Sequence, residues 1–194
     1  DDLNILDEST SIIINASAIT SLAGNASALV NAYASTGISG LGNEAVTISN
    51  KSIDASLLNI LDGNTTGIIN ASTVSTLVGN TSTLINTYSS TGISWLGNES
   101  VNVNSAESSV SSANILSEAT TGLVTATISD GDMVKLVSLR GNNNAYTISI
   151  SDDSVEASKL IELYEKTKAK INASKVGALN GKSSDLNTVY SLSG

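Results

Sequence analysis

The 194-residue chain contains neither histidine nor cysteine. A Ser-His-Asp triad, a Cys-His pair, a histidine-ligated metal and a thiolate metal site are therefore excluded, and so is any disulfide. The missing cysteine fits the cytosol and equally an exterior where no bridge is needed. Phenylalanine is absent as well, and only one Trp and five Tyr are present, so a core built from the 40% of hydrophobic residues must be aliphatic. A mean hydropathy of +0.13 is too apolar for a disordered chain.

Charge is scarce and one-sided. Nine Lys and Arg stand against 18 Asp and Glu, a formal charge of −9 with a pI near 4.2. Nucleic acid is not an expected partner, because the phosphate term that dominates such binding would be repulsive. Membrane insertion is not expected either, since no run of about 18 apolar residues exists. No basic-then-apolar start resembles a signal peptide, which is read as an excised or processed segment. A surface rich in Ser, Thr and Asn and poor in charge favours solubility and is common on secreted proteins.

What the chain does have is repetition. Residues 3–49 laid on 58–104 match at 28 of 47 positions without a gap, an offset of fifty-five residues. Asn114-Ile115-Leu116 and Thr120-Thr121-Gly122 continue that offset, and Ile171-Asn172-Ala173-Ser174 answers Ile69-Asn70-Ala71-Ser72 at an offset of 102. The expected organisation is one elongated domain over 1–194 with copies at approximately 3–57, 58–113, 114–146 and 147–194. Units of this kind cannot close a core alone and must stack on their neighbours.

Each copy reads as strands and helices in alternation. Val46-Thr47-Ile48-Ser49 has strand alternation, Ser52 or Asp54 offers an N-cap, and Ile53, Leu57, Leu58, Ile60 and Leu61 share one helical face before Asn64-Thr65-Thr66-Gly67. Ile68-Ile69-Asn70-Ala71 predicts a strand, Ser72 to Gly79 a brief helix, and Asn80 or Thr81 the cap of another; Ile93 to Gly97 reads as an irregular return. Strand Leu123–Ile128, a helix capped by Ser129 or Asp130, strand Ala145–Ile150 and one long helix from Ser151 to Thr167 complete the pattern. Strand starts at 46, 68, 101, 123, 146 and 170 imply coils of about 22–24 residues, the spacing of leucine-rich-repeat-like solenoids. The predicted fold is a right-handed α/β solenoid of strand-helix coils, with one parallel sheet and helices on the opposite flank.

Its interior should be laddered. Leu6, Leu61, Leu116 and Leu163 share one position, and Ile14, Ile69, Val124 and Ile171 another. Asn15, Asn70, Thr125 and Asn172 lie beside them, and Thr10, Thr65, Thr120 and Thr167 head the turns. Stacked Asn and Thr side chains can hydrogen-bond along such a stack and satisfy turn backbone groups.

Candidate chemistry is confined to oxygen ligands and carboxylates. The serines have no nearby base, and no phosphate-binding Gly loop occurs. Glu44, Glu99, Asp7 and Asp62 recur with the period, so a glycosidase-like carboxylate pair is one option and a structural role such as capping is the favoured one. Asp130, Asp132, Asp152 and Asp153 lie close together in turns and form the candidate Ca²⁺ site, although EF-hand and β-roll spacings are absent and capping competes. No other cofactor is implied. Sequons occur at Asn15, Asn25, Asn50, Asn64, Asn70, Asn80, Asn98 and Asn172. Glu162, Glu165, Lys166, Lys168 and Lys170 read as a solvated helix face. Trp95 stands where the first copy has Gly40, and filling a local gap is favoured over an outer contact.

Val46 to Ser49, Leu58 to Gly67, and Thr147 to Ser149 with Val155 to Ser158 resemble the repeats of very long surface-exposed or secreted proteins of marine cyanobacteria and other aquatic bacteria, with similar units in some phages. The likeness spans nearly the whole chain and implies an extracellular, non-catalytic structural or adhesive role, with no catalytic residues to carry over. The expected function is a structural or adhesive repeat segment of a surface protein, filament or virion fibre, located at the cell or virion surface. Its start within a helix and its end without a polar closing unit predict more repeats or end-to-end copies, so the chain itself is the expected partner. The alternative is a Ca²⁺-dependent module that recognises surface glycans or a host through loops 93–100 and 141–145. A polysaccharide-active enzyme comes third.

Overall fold

Val46 and Ile48 are fully buried while Ala45 and Thr47 are exposed, so Ala45–Ile48 is a strand with one dry and one wet face. In the computed structural model, which describes residues 2–192, this strand lies between Ser21–Gly24 and Ile69–Asn70, and Ile93–Ser94 extends the row to four. Leu22 pairs with Val46, Val46 with Ile69 and Ile69 with Ile93, so partners are 23 or 24 residues apart. Further parallel pairs in the same unit are Ile14–Asn15 with Ile38–Ser39, and Ser52–Asp54 with Thr76–Gly79. Two such steps span 47 residues, eight short of the fifty-five-residue offset, so equivalent residues such as Leu22 and Leu77 fall in different sheets.

Parallel neighbours need a crossover, and a helix supplies it. Asp2–Glu8, Ala26–Ala34, Ala55–Asn64 and Thr81–Ser89 alternate with the strands of the first compact unit, which ends at Glu99. Asn25, Asp54 and Asn80 cap three of them by accepting a backbone N–H one turn on, at 2.8–2.9 Å. The last three helices bury a narrow stripe, in Ala55–Asn64 the residues Ala55, Leu58 and Leu61, while Asp2–Glu8 buries none of its residues.

The second unit begins at Ser100. Its strands Ser100–Val103, Val124–Thr127, Ala145–Ser149 and Ile171–Asn172 pair in parallel, as do Ser154–Glu156 and Ala178–Asn180. Its helices are Val110–Ala119, Met133–Leu136, Ala157–Tyr164 and Ser183–Ser191. One coil is short: Thr125 pairs with Ala145, twenty residues on, and the loss is taken from helix Met133–Leu136, which has four residues. Both units are α/β with parallel pairing throughout; the described strands form four separate parallel sheets in place of the single sheet expected, and none closes into a barrel.

Several elements differ from those read in the sequence. Thr76–Gly79 is a strand, not a helix, because Asn70 closes a turn on the Ser72 N–H and Thr76 to Val78 then pairs with Ser52 to Asp54. A short apolar run carries no decisive period, and the neighbouring coil chose for it. The long helix expected over 151–167 is a strand, Ser154–Glu156, followed by a helix that stops at Tyr164. The return at Ile93 opens with a two-residue strand, Ile93–Ser94, and helix Met133–Leu136 is capped by Asp132 and not by Ser129 or Asp130.

The core is aliphatic as expected, with Val46, Leu58, Leu77 and Leu84 in the first unit and Leu116, Val124, Leu136 and Ile148 in the second. Tyr146 is the one aromatic ring fully buried there. Leu61, Leu116 and Leu163 are all at 0% exposure, but Leu6, their counterpart, is 52% exposed, since helix Asp2–Glu8 packs against Ala26–Ala34 on one side only. Equivalent positions are therefore unequal in energy. Leu61→Ala should cost about 2–5 kcal/mol and Leu6→Ala under about 1, read from urea midpoints; equal losses would contradict this packing.

Candidate functional site

Buried carboxylates mark the turn that precedes a strand in each full copy. Glu44 and Glu99 are 0% and 1% exposed. Glu44 accepts the Gly42 and Asn43 N–H groups at 2.9 and 3.2 Å and the Tyr33 hydroxyl; Glu99 accepts those of Gly97 and Asn98 at 2.8 and 3.2 Å and the Tyr88 hydroxyl. Burial alone would push the Glu44 carboxyl up, but the Tyr33 hydroxyl and the loop N–H groups outweigh it and hold the group below its ordinary range. Tyr33 is driven above its usual value by its own burial and then by the Glu44 charge. Neither carboxylate opens onto solvent. Asn144, at the same place before strand Ala145–Ser149, is also buried and accepts the Val124 N–H at 3.0 Å while donating to Ser117 Oγ at 2.9 Å.

Asp7 and Asp62 tie helix ends to the next loop. They accept the Ser35 and Ser90 hydroxyls at 2.5 and 2.7 Å, and those hydroxyls accept the Gly37 and Gly92 N–H groups at 2.9 and 3.0 Å. A Cβ at Gly92 would lie 2.0 Å from Asp62 Oδ1, so any larger residue there would have to displace the Asp62 carboxylate from its place against Ser90.

The Thr heads do what the sequence suggested. Thr10, Thr65, Thr120 and Thr167 accept the N–H two residues on, at 3.0–3.1 Å. Thr65 and Thr167 also donate across to the preceding coil, to the carbonyls of Glu44 and Tyr146 at 2.8 and 2.9 Å. Asn15, Asn70 and Asn172 do not bond along the stack; each closes a local turn on the N–H two residues on, at 3.0–3.1 Å.

Another ladder was missed. Asn4, Asn59 and Asn114 each donate a side-chain N–H to the carbonyl twenty-four residues on, at Ala28, Thr83 and Ser138 (2.8, 3.1 and 2.9 Å). The signal was present: asparagine at the same helix-interior position in three copies, where it disfavours helix, calls for a partner outside it.

Of the four aspartates of the candidate calcium site, Asp130 and Asp132 share the Lys135 ammonium group, at 2.8 and 3.8 Å. Asp130 accepts the Val110 N–H and holds Lys135 Nζ, both at 2.8 Å; Asp132 caps its helix on the Lys135 N–H at 2.9 Å; Asp152 accepts the Met133 N–H at 2.7 Å. Lys135 and the Val110 N–H keep Asp130 below the ordinary carboxyl range. The Asp153 carbonyl accepts the Gly177 and Ala178 N–H groups at 2.8 and 2.9 Å. Among the described residues no three acidic side chains gather as a metal would need. Among the sequons, Asn25 and Asn80 are helix caps, Asn50 accepts the Ala26 N–H at 2.8 Å, and Asn64 donates to the Ile60 carbonyl at 2.9 Å.

Trp95 does not fill a gap. It is 62% exposed and adopts φ +67°, the one non-glycine residue with positive φ among those described; Gly40, its counterpart, has φ +84°. The position demands a left-handed backbone, and the second copy meets it with an indole turned to solvent. The lysines read as one helix face instead follow the helix, with Lys166, Lys168 and Lys170 in the bend after Tyr164.

No protein-family model, curated protein or solved structure matches this chain. Among the described residues no helix is long and apolar enough to cross a membrane.

Glu44→Gln should cost about 1–3 kcal/mol near neutral pH, because an amide N–H₂ would face loop N–H donors in a dry site. The folded carboxyl titrates below the unfolded one, so its contribution is complete above about pH 4.3 and fades as pH falls through the folded value. The difference between parent and variant in urea denaturation should narrow accordingly in acid. Trp95→Gly should stabilise the fold by roughly 1 kcal/mol of relieved strain, read as a higher melting temperature, and a clear drop would mean that the indole packs.

Proposed function

We propose that this chain is a non-catalytic scaffold segment, one stretch of a right-handed solenoid that continues from coil to coil and works by presenting its outer turns on an extended surface. The observation that carries this reading is the coil-to-coil bond from Asn4, Asn59 and Asn114, each spanning twenty-four residues. The same donor atom fixes the spacing of one coil on the next at three places in the chain, which stacking explains and a single ligand site would not. The same logic applies to the paired Glu44 and Glu99 turns and the four Thr-headed bends.

Self-association in a larger array follows from the same surfaces. Leu6 is 52% exposed where Leu61, Leu116 and Leu163 are fully buried, and a further coil, in this polypeptide or a second copy, would cover it. An acidic, cysteine-free chain rich in Ser, Thr and Asn is well suited to the cell or virion surface, which is the location proposed. Negative-stain microscopy should show rods that lengthen with protein concentration. Uniform globules about 45 Å across at every concentration would refute the reading.

A further inference from the structure

The Thr-headed bend occurs four times with one geometry, so the copies serve as internal controls for one another. In the first three the second and fourth residues are uncharged: Ser11 and Ile13, Thr66 and Ile68, Thr121 and Leu123. In the fourth they are Lys168 and Lys170. Stacking does not ask for this change, because the backbone is held as firmly with or without it.

That backbone is rigid at its root. Buried Thr167 accepts the Tyr146 and Ala169 N–H groups at 2.8 and 3.1 Å and donates to the Tyr146 carbonyl at 2.9 Å, while the Lys168 N–H donates to the Asn144 carbonyl at 2.8 Å. Two exposed ammonium groups are thereby mounted on an ordered turn. Among the described residues neither has a carboxylate within ion-pair distance, in contrast to Lys135 and Arg140, which are paired with Asp130 and Glu118.

Lys168 and Lys170 line one open groove of about 430 Å³, together with the half-buried Tyr164, the amide of Asn142 and the carboxylate of Glu165. The volume is within the range of small-molecule sites. The charge setting sharpens the contrast: residues 1–99 hold a single basic residue, Lys51, and the other eight lie beyond. Two unpaired cations outnumber the one carboxylate, Glu165, and with an aromatic ring and an amide make a site for a ligand with both oxyanions and a face to lay on a ring.

We infer that this groove binds an acidic saccharide, with Lys168 and Lys170 on its carboxylate or sulfate groups and Tyr164 and Asn142 against the sugar. The inference rests on the internal comparison of the four bends and stands apart from any extended array. The probes are a galacturonate tetrasaccharide, a sulfated galactan tetrasaccharide, the neutral galactan tetrasaccharide and inorganic sulfate, titrated into the full chain by calorimetry and backbone-amide NMR. At least one acidic tetrasaccharide should bind with one site per chain, shift the amides of 164–170, and weaken about tenfold or more on Lys168→Gln with Lys170→Gln at unchanged melting temperature.

Tyr164→Ala should weaken the saccharide while leaving any sulfate binding alone. Neutral galactan binding as tightly as its acidic counterparts, or saccharide binding unchanged by the double lysine substitution, overturns the assignment. So does inorganic sulfate bound as tightly as either acidic tetrasaccharide, which would mark a site for a free oxyanion, or equal displacement by a single-stranded oligonucleotide of the same charge, which would mark general attraction of polyanions. If neither acidic tetrasaccharide shifts the amides of 164–170, the assignment is wrong.

Discussion

A short parallel strand cannot satisfy its own backbone. Its N–H and C=O groups must be met by the coil before and the coil after, and an unmet buried pair is costly. In this chain that constraint is discharged at a fixed interval, with strand partners 23 or 24 residues apart in nearly every pairing. Once the interval is set, much else follows. Val46, Ile69 and Ile93 of successive coils come side by side and buried, and Asn59 finds the Thr83 carbonyl where Asn4 finds Ala28.

The interval also explains why buried polar groups are tolerated in so small a core. Glu44 would be destabilising in an apolar layer, but its loop offers two N–H groups and a tyrosine hydroxyl, so the charge is dissolved by the protein in place of water. Asn144 takes over with the shortened coil, where Ser117 and the Val124 N–H supply what a neutral amide needs. Carboxylate and amide are two answers to one geometric problem. Thr65 and Thr167 solve the neighbouring one by working in two directions, inward to their own turn and across to the previous coil.

Repetition made much of this readable before any coordinates. Strand Ala45–Ile48, the cap at Asp54, the end of its helix at Asn64, the cap at Asn80 and the Thr-headed bends all follow from pattern and turn chemistry. The misses have physical causes. Thr76 to Val78 is too short to betray its period, and its partner Ser52 to Asp54 lies outside any local window. Leu6 looks like Leu61 in sequence, yet burial depends on what lies on both sides. Gly40 opposite Trp95 was a sign of a left-handed backbone, and reading the pair for side-chain size alone passed over it. The aspartates of 130–153 clustered in sequence, but a backbone N–H or an ammonium group had a prior claim on most of them.

Trp95 has one more consequence, for anyone who follows this protein by optical means. It is the chain's single tryptophan, and its indole lies in solvent on a loop while the core of Leu58, Leu61 and Leu84 contains no chromophore of its own. Its fluorescence should be close to that of free indole before and after melting, so an emission trace could stay flat through a complete loss of fold. Far-ultraviolet dichroism, which sees the peptide groups of every coil, is the faithful reporter.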